Sequence, residues 1–297
     1  MMKKNVIVVG SRESKLAVVQ ANYVIDQIKL CCPDLDVRLV TMKTTGDKIL
    51  DITLDKIGGK GLFVKELDYA LLNGDIDIAV HSLKDMPAEI DDELPILAYS
   101  KRENPTDALV LPKGETNLDL AKPIGSSSAR RKIQLEALYE NVIVEPVRGN
   151  VITRLQKLDN GDFGALVLAS AGLIRLGLQD RISKTFETDE MIPSAGQGIL
   201  AIQGRKDENY SFVEYLNDTN SKYYATAERA FTRALGCGCT APVAVYAEII
   251  NNEIHVKALY MDEATGKKAS GSICGSVNEA EILGITLAKK LLKEVGI

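Results

Sequence analysis

The chain has 297 residues, 45% hydrophobic and 26% charged, with 36 Lys and Arg against 41 Asp and Glu and a formal net charge of −5. That length predicts two or three domains with cores large enough to need no disulfide staples. The acidic balance excludes a general nucleic-acid role, so any anion site has to come from locally clustered bases.

Val6–Val9 is apolar and β-branched. It is too short for a signal peptide, is broken at once by Ser11-Arg12-Glu13, and reads as a buried first strand. No later apolar run approaches the ~20 residues of a membrane span. Five cysteines, an odd number, do not make a complete set of intrachain disulfides, and reduced thiols suit a cytoplasmic protein. Ser14 is placed to cap a helix carrying Leu16, Val19, Tyr23 and Ile28. Val37–Thr41 is a second strand. Thr44–Lys60 is polar and reads as a long loop in which Gly46, Gly58 and Gly59 allow hinge motion. Phe63–Leu72 sets Phe63, Leu67 and Leu71 on one helix face, and Ile76–Val80 is a third strand. This order implies a mostly parallel, helix-covered sheet.

A second α/β set follows the punctuation at Asn104-Pro105 and Pro112–Asn117. Ile124 leads through Gly125-Ser126-Ser127-Ser128 into a helix from Ala129; Val142–Val144 and Ala165–Ala169 are strands around a helix at Val151–Leu158. Gly196-Gln197-Gly198 breaks the chain before the apolar run Ile199–Ile202. A helix from about Ser221 to Leu235 ends at Gly236-Cys237-Gly238-Cys239. Strand-like runs at Val243–Ile250, Ile254–Tyr260 and Gly271–Val277 precede a closing helix, Glu279–Leu292. Two alike α/β units suggest a ligand cleft between them, beyond the carboxyl ends of their strands.

The chemically informative residues fall just after strands. His81-Ser82-Leu83-Lys84-Asp85 follows the third strand. There Asp85 either stabilises a cation and moves protons, with Lys84 on a substrate carboxylate, or simply bonds its own turn. His81 reads as a satisfied, half-buried histidine. Ser126–Ser128 with Arg130 and Arg131 opens a helix whose dipole disfavours two arginines unless an anion is bound. Arg148-Gly149-Asn150, Arg154 and Arg175 repeat the pattern, and arginine forks match carboxylates. Gly58-Gly59-Lys60-Gly61 is not a Walker loop, because no Ser or Thr follows the lysine. Cys237 and Cys239, with His81 and His255 the only histidines, fall short of a zinc set, so no metal is expected. The loop between glycines reads instead as a reactive thiol, with a buried cysteine as the alternative.

In their order and spacing, Gly58–Lys65, Ala79–Pro87, Gly125–Arg131, Arg148–Leu158, Ala171–Gly177, Ser194–Gly198 and Glu228–Pro242 resemble the hydroxymethylbilane synthase (porphobilinogen deaminase) family, nearly end to end. The resemblance implies three α/β domains. Two are lobes like those of periplasmic binding proteins around a cleft, 1–100 completed by 198–218, and 101–197. The third is a smaller domain at 219–297 with a mainly antiparallel sheet, which carries the cofactor loop.

The implied activity is deaminative condensation of four porphobilinogen molecules onto a dipyrromethane primer, then release of a linear tetrapyrrole to the next tetrapyrrole enzyme. The implied cofactor is a dipyrromethane on a thioether at Cys239, three residues before Pro242. Asp85 is the implied catalytic carboxylate. Lys84, Ser126, Ser127, Ser128, Arg130, Arg131, Arg148 and Gly149 would hold the cofactor; Arg12, Arg154, Arg175, Gln197, Lys56, Lys60 and Phe63 would meet substrate. Cys237 stands where relatives commonly have glycine, and Glu13, beside Arg12, where many have glutamine. The implied protein is a cytoplasmic monomer without nucleic-acid or membrane partners. A two-lobed anion-binding protein or sensor shares the architecture, but needs no thiol loop and would carry no covalent cofactor.

Overall fold

The structure, a computed structural model, describes residues 6–44, 64–208, 210–236 and 241–297. The chain separates into two compact units, Met1–Arg102 with Ile199–Lys222, and Glu103–Gly198 with Tyr223–Ile297. In the first, β1 (Val6–Arg12), β2 (Asp36–Met42), β3 (Ile78–Ser82), β4 (Ile96–Tyr99) and the late strand β10 (Leu200–Gly204) form one sheet in the order β2-β1-β3-β10-β4. β1 runs parallel to β2 and β3, whereas β10 is antiparallel to both its neighbours. Four strands therefore share a direction and one returning strand opposes them.

Helix α1 (Lys15–Cys31) covers one face of this sheet, capped by Ser14, whose hydroxyl accepts the Ala17 N–H. Its buried stripe is Ala17, Gln20, Ala21, Val24, Ile25 and Ile28. The expected stripe was misplaced: Tyr23 is exposed, and Leu16 and Val19 are half-buried. Ala17 and Ala21 share the inner face with Val24, Ile25 and Ile28, and their small side chains suit a close approach to the strands. On the other face α2 (Lys65–Asn73) buries Leu67, Ala70 and Leu71 against Ile76, Ala79 and Leu94. Gly10 makes this approach possible, since a Cβ there would lie 2.3 Å from Ile76 Cδ1 and 3.0 Å from Leu67 Cδ2.

A polar clasp closes the other end of the sheet. Asp77 is 1% exposed and accepts the Val8 N–H at 2.8 Å, while Arg205 donates to the Leu71 and Ile76 carbonyls and reaches Asp77 Oδ1 at 3.3 Å. The Arg205 guanidinium thereby satisfies a carbonyl in the last turn of α2 and fixes α2 to the start of β3.

The second unit contains two sheets. β5 (Asp107–Val110), β6 (Ile124–Gly125), β7 (Val144–Glu145), β8 (Ala165–Ala169) and β9 (Lys184–Thr185) pair in the order β7-β6-β8-β5-β9. Again one strand, β5, opposes its neighbours. Helix α3 (Ala129–Leu138) packs Leu135 on one side, and α4 (Val151–Asp159) and α5 (Ser170–Arg175) pack Leu155, Leu158 and Leu173 on the other.

The third sheet is antiparallel, β11 (Val243–Ile250), β12 (Glu253–Met261) and β13 (Lys268–Ser276), with alternate residues facing α6 (Thr219–Ala234) and α7 (Ala280–Val295). The fold is thus mixed α/β, two five-stranded lobes of like design and a small antiparallel sheet. Among the described residues no helix is long and apolar enough to cross a membrane.

His81 is fully buried rather than half-buried, and its Nε2 has no hydrogen-bond partner. β10, whose Ala201 lies opposite His81, supplies the cover that the chain order did not reveal. Burial pushes the imidazole pKa down to about 4, and the Arg12 charge acts in the same direction. The folded state therefore refuses a proton that the unfolded chain accepts below about pH 6.5. Stability should fall as pH drops from about 6.5 to about 4, by at most about 3 kcal/mol from this residue. Asp68, raised to about 6 by burial and by Asp91, works in the opposite direction. The readout is consequently the difference between wild type and His81→Gln in urea unfolding across this range, and the variant should lose the His81 share of the acid slope. In the clasp, Arg205→Met leaves Asp77 buried without this cation and should lower unfolding stability by about 3–5 kcal/mol.

Candidate active site

In the first unit, β1 and β3 run in one direction, so Arg12 and the turn after β3 leave the sheet at the same edge. That turn is a single 3-10 turn, Leu83–Asp85, pinned by the buried side chains of Leu83 and Met86 and by two backbone bonds, Leu83 N–H to the Ile199 carbonyl and Met86 N–H to the Leu83 carbonyl. Gln20 of α1 exchanges a side-chain hydrogen bond with Ser82 at 3.0 Å, fixing the strand end. On this rigid base Lys84 is half-buried and Asp85 is exposed. Ser82, which precedes the turn, makes no side-chain cap hydrogen bond. The Asp85 carboxylate is held out to solvent on a fixed main chain. Glu13 lies 3.9 Å from Lys43, both exposed, so its partner is a lysine of the neighbouring strand end rather than Arg12.

In the second unit the residues after β6 and β8 meet the buried start of β5, and those after β7 are tied to the loop after β6. The three serines are used locally. Ser127 Oγ donates to the Val147 carbonyl at 2.7 Å and accepts its N–H at 3.1 Å, Ser126 Oγ accepts the Ser128 N–H, and Ser128 caps α3 through the Arg131 N–H. They tie the loop after β6 to the loop after β7. Arg154 donates Nε to the Gly149 carbonyl at 2.8 Å, and Asn150 caps α4. Gly149 has φ 108°, and a Cβ there would sit 2.8 Å from Thr153 Cγ2, so the turn that presents Arg148 requires glycine. Arg175, at the end of α5, donates to the Gly198 carbonyl at 2.7 Å.

Arg130 and Arg131 converge on Asp107. Arg131 donates through Nε at 3.1 Å and Nη2 at 2.7 Å to Asp107 Oδ1, and through Nη1 to the Val167 carbonyl. Arg130 Nη2 lies 2.7 Å from Asp107 Oδ2, and its Nη1 donates to the Ile192 carbonyl. Gln197 adds its amide to Asp107 Oδ1 at 3.0 Å and to the Pro105 carbonyl at 2.7 Å. Exposures are 4% for Arg130, 7% for Arg131, 1% for Gln197 and 0% for Asp107. Burial alone would raise the Asp107 pKa, but the two guanidinium groups hold it well below the usual carboxylate range. The cluster still carries one positive charge in excess. That surplus, where the first turn of α3 meets the start of β5, fits a ligand that carries carboxylates.

Asp107 was not foreseen in the sequence. Its only signal is an acid opening the apolar run Asp107-Ala108-Leu109-Val110. Lys56, Lys60, Phe63, Cys237 and Cys239 lie outside the described residues. The described cysteines, Cys31, Cys32 and Cys274, are free thiols, and the described residues contain no group of three or more His, Cys, Asp or Glu that could hold a metal ion.

Two family profiles match the chain: the porphobilinogen deaminase dipyromethane cofactor binding domain over residues 7–212, and the porphobilinogen deaminase C-terminal domain over residues 222–293. The porphobilinogen deaminase of Acetivibrio thermocellus is 56% identical over 96% of this chain and 97% of its own length. Those of Ruminiclostridium cellulolyticum and Alkaliphilus oremlandii are 54% and 52% identical, covering 98% and 96% of this chain and the same shares of their own. Among solved structures the Escherichia coli periplasmic aliphatic sulphonate binding protein SsuA matches at 11% identity and a TM-score of 0.42, over 78% of this chain and 71% of that one, too distant to bear on function. Two profiles that together span nearly the whole chain, and relatives above half identity over almost their full lengths, establish that the chain belongs to the porphobilinogen deaminase family.

Proposed function

We propose that the chain joins four porphobilinogen molecules head to tail, with loss of ammonia at each addition, and releases the linear tetrapyrrole hydroxymethylbilane by hydrolysis. The observation that carries the catalytic assignment is Asp85, an exposed carboxylate on a turn whose backbone is pinned. Porphobilinogen loses its amine to give an azafulvene cation. An anion fixed at that position stabilises the developing charge and holds the pyrrole N–H groups, and a fixed charge needs no reorganisation during the step.

When bound, the dipyrromethane supplies the pyrrole carbon to which incoming units are joined; Cys239 would hold it by a thioether. Arg130, Arg131, Arg148, Lys84, Gly149 and the 126–128 serines would hold its carboxylates. Arg12, Arg154, Arg175, Gln197, Lys56, Lys60 and Phe63 would meet the substrate. Within this set the observed geometry gives different weight to different members. Ser127 and Ser128 already serve the backbone, and Gln197 serves Asp107, so they support the loops that present the arginines. The proposal includes three domains, 1–100 with 198–218, 101–197 and 219–297. It also makes the enzyme a cytoplasmic monomer whose product passes to the next tetrapyrrole enzyme.

Two experiments test this reading. Purified chain should be heavier than its sequence by two linked pyrrole units; Cys239→Ser should lose that mass and all turnover, and Cys237→Ser should keep both. Mass that follows Cys237 instead would move the attachment point. Asp85→Asn, loaded with preassembled cofactor and checked by intact mass, should bind it but add porphobilinogen about 100 to 1,000 times more slowly in single turnover. Addition at the wild-type rate would remove Asp85 from the chemistry.

A further inference from the structure

The cluster at the start of β5 contains a buried acid that the reaction as described does not use. We propose that Asp107 is a positioning residue for the assembly of the holoenzyme, holding Arg130 and Arg131 as a fixed pair for the cofactor's carboxylates. The proposal rests on the reading that these two arginines meet those carboxylates.

A guanidinium on a free side chain samples many rotamers, and ordering it at the moment of binding costs affinity. Here that ordering is done in advance. Asp107 presents its two oxygens separately: Oδ1 takes Nε and Nη2 of Arg131, and Oδ2 faces Nη2 of Arg130 at 2.7 Å. Backbone carbonyls fix the opposite end of each guanidinium, Val167 for Arg131 and Ile192 for Arg130. The backbone of Asp107 is itself secured in the sheet, opposite Ala169 of β8, with its carbonyl taken by the Phe186 N–H. Gln197 caps Oδ1 from a further segment.

The charge count gives the second strand of support. One carboxylate between two guanidinium groups leaves a net positive charge among residues that are at most 7% exposed. Burying an excess charge is unfavourable unless a counter-ion completes it. A purely structural cluster would be better served by a matched pair. The unmatched one is suited to an anion. Asp107 therefore does two things at once: it makes two like charges tolerable side by side, and it leaves one of them for the ligand.

The test uses the full-length chain prepared without cofactor, and follows the appearance of holoenzyme by intact mass during incubation with porphobilinogen. Asp107→Asn should convert at least about tenfold more slowly, the loss expected when charge-assisted contacts worth about 1.5–3 kcal/mol are no longer held in place. Asp77→Asn, which weakens the distant clasp of the first unit, serves as a stability control. Both should melt at lower temperature, but only Asp107→Asn should be slow to convert at 25 °C. Should Asp107→Asn fail to fold, Asp107→Glu retains the charge and displaces the guanidinium groups by one methylene; it too should convert slowly. Wild-type conversion in a folded Asp107 variant, with Arg130→Ala and Arg131→Ala slow, overturns the positioning role and leaves the arginine reading intact. Wild-type conversion in the arginine variants overturns the reading on which it rests.

Discussion

Much of the second lobe is arranged around one carboxylate. Asp107 stands at the first position of β5, fully buried, between two arginines from the first turn of α3. An unpaired acid in that place would be strongly disfavoured, and so would two adjacent guanidinium groups without it. The three form a unit that none of them could form alone. Its consequences extend outward: the orientation of α3, the course of the backbone through Ile192 and the seat of Gln197 all depend on hydrogen bonds to it.

The two lobes share a plan that explains why the charged residues fall where they do. In each, four strands run in one direction and a single strand opposes them. The co-directional strands deliver their ends and the segments that follow them to one edge, which places Arg12 and Asp85 in one lobe and Arg130, Arg148 and Arg175 in the other. Strand ends are also where main-chain groups are released from the ladder. The serines, Asn150 and Gly149 take up these groups and set the turns. The polar residues of the loops thus divide between support and presentation, and residue type alone does not separate the two.

Much was legible in the chain itself. Ser14, Ser128 and Asn150 each precede a helical run and cap it, as local hydrogen bonding requires. The strands at 165–169 and 243–250 follow from unbroken apolar or alternating patterns. The short strands at 96–99, 107–110 and 184–185 were not foreseen, because four or fewer residues give too little periodicity to stand out from a loop. The stripe of α1 was displaced because Ala17, Ala21, Val24 and Ile25, rather than Leu16, Val19 and Tyr23, join Ile28 on the buried face.

By itself the sequence determined the class of fold, the succession of strands and helices, the clustering of bases after strands and the motifs of the porphobilinogen deaminase family. Each depends on residues close together in the chain, through hydrophobic period, capping and turn chemistry. Only the tertiary structure decided which charges meet. The partners Asp107 and Arg131 are 24 residues apart, and Gln197 and Asp107 are 90 apart. Their contact exists because β5 runs against β8 while α3 lies across the sheet, and the antiparallel return of β10 likewise buries His81. Such pairings are set by the packing of whole elements, and no local pattern of residue types encodes them.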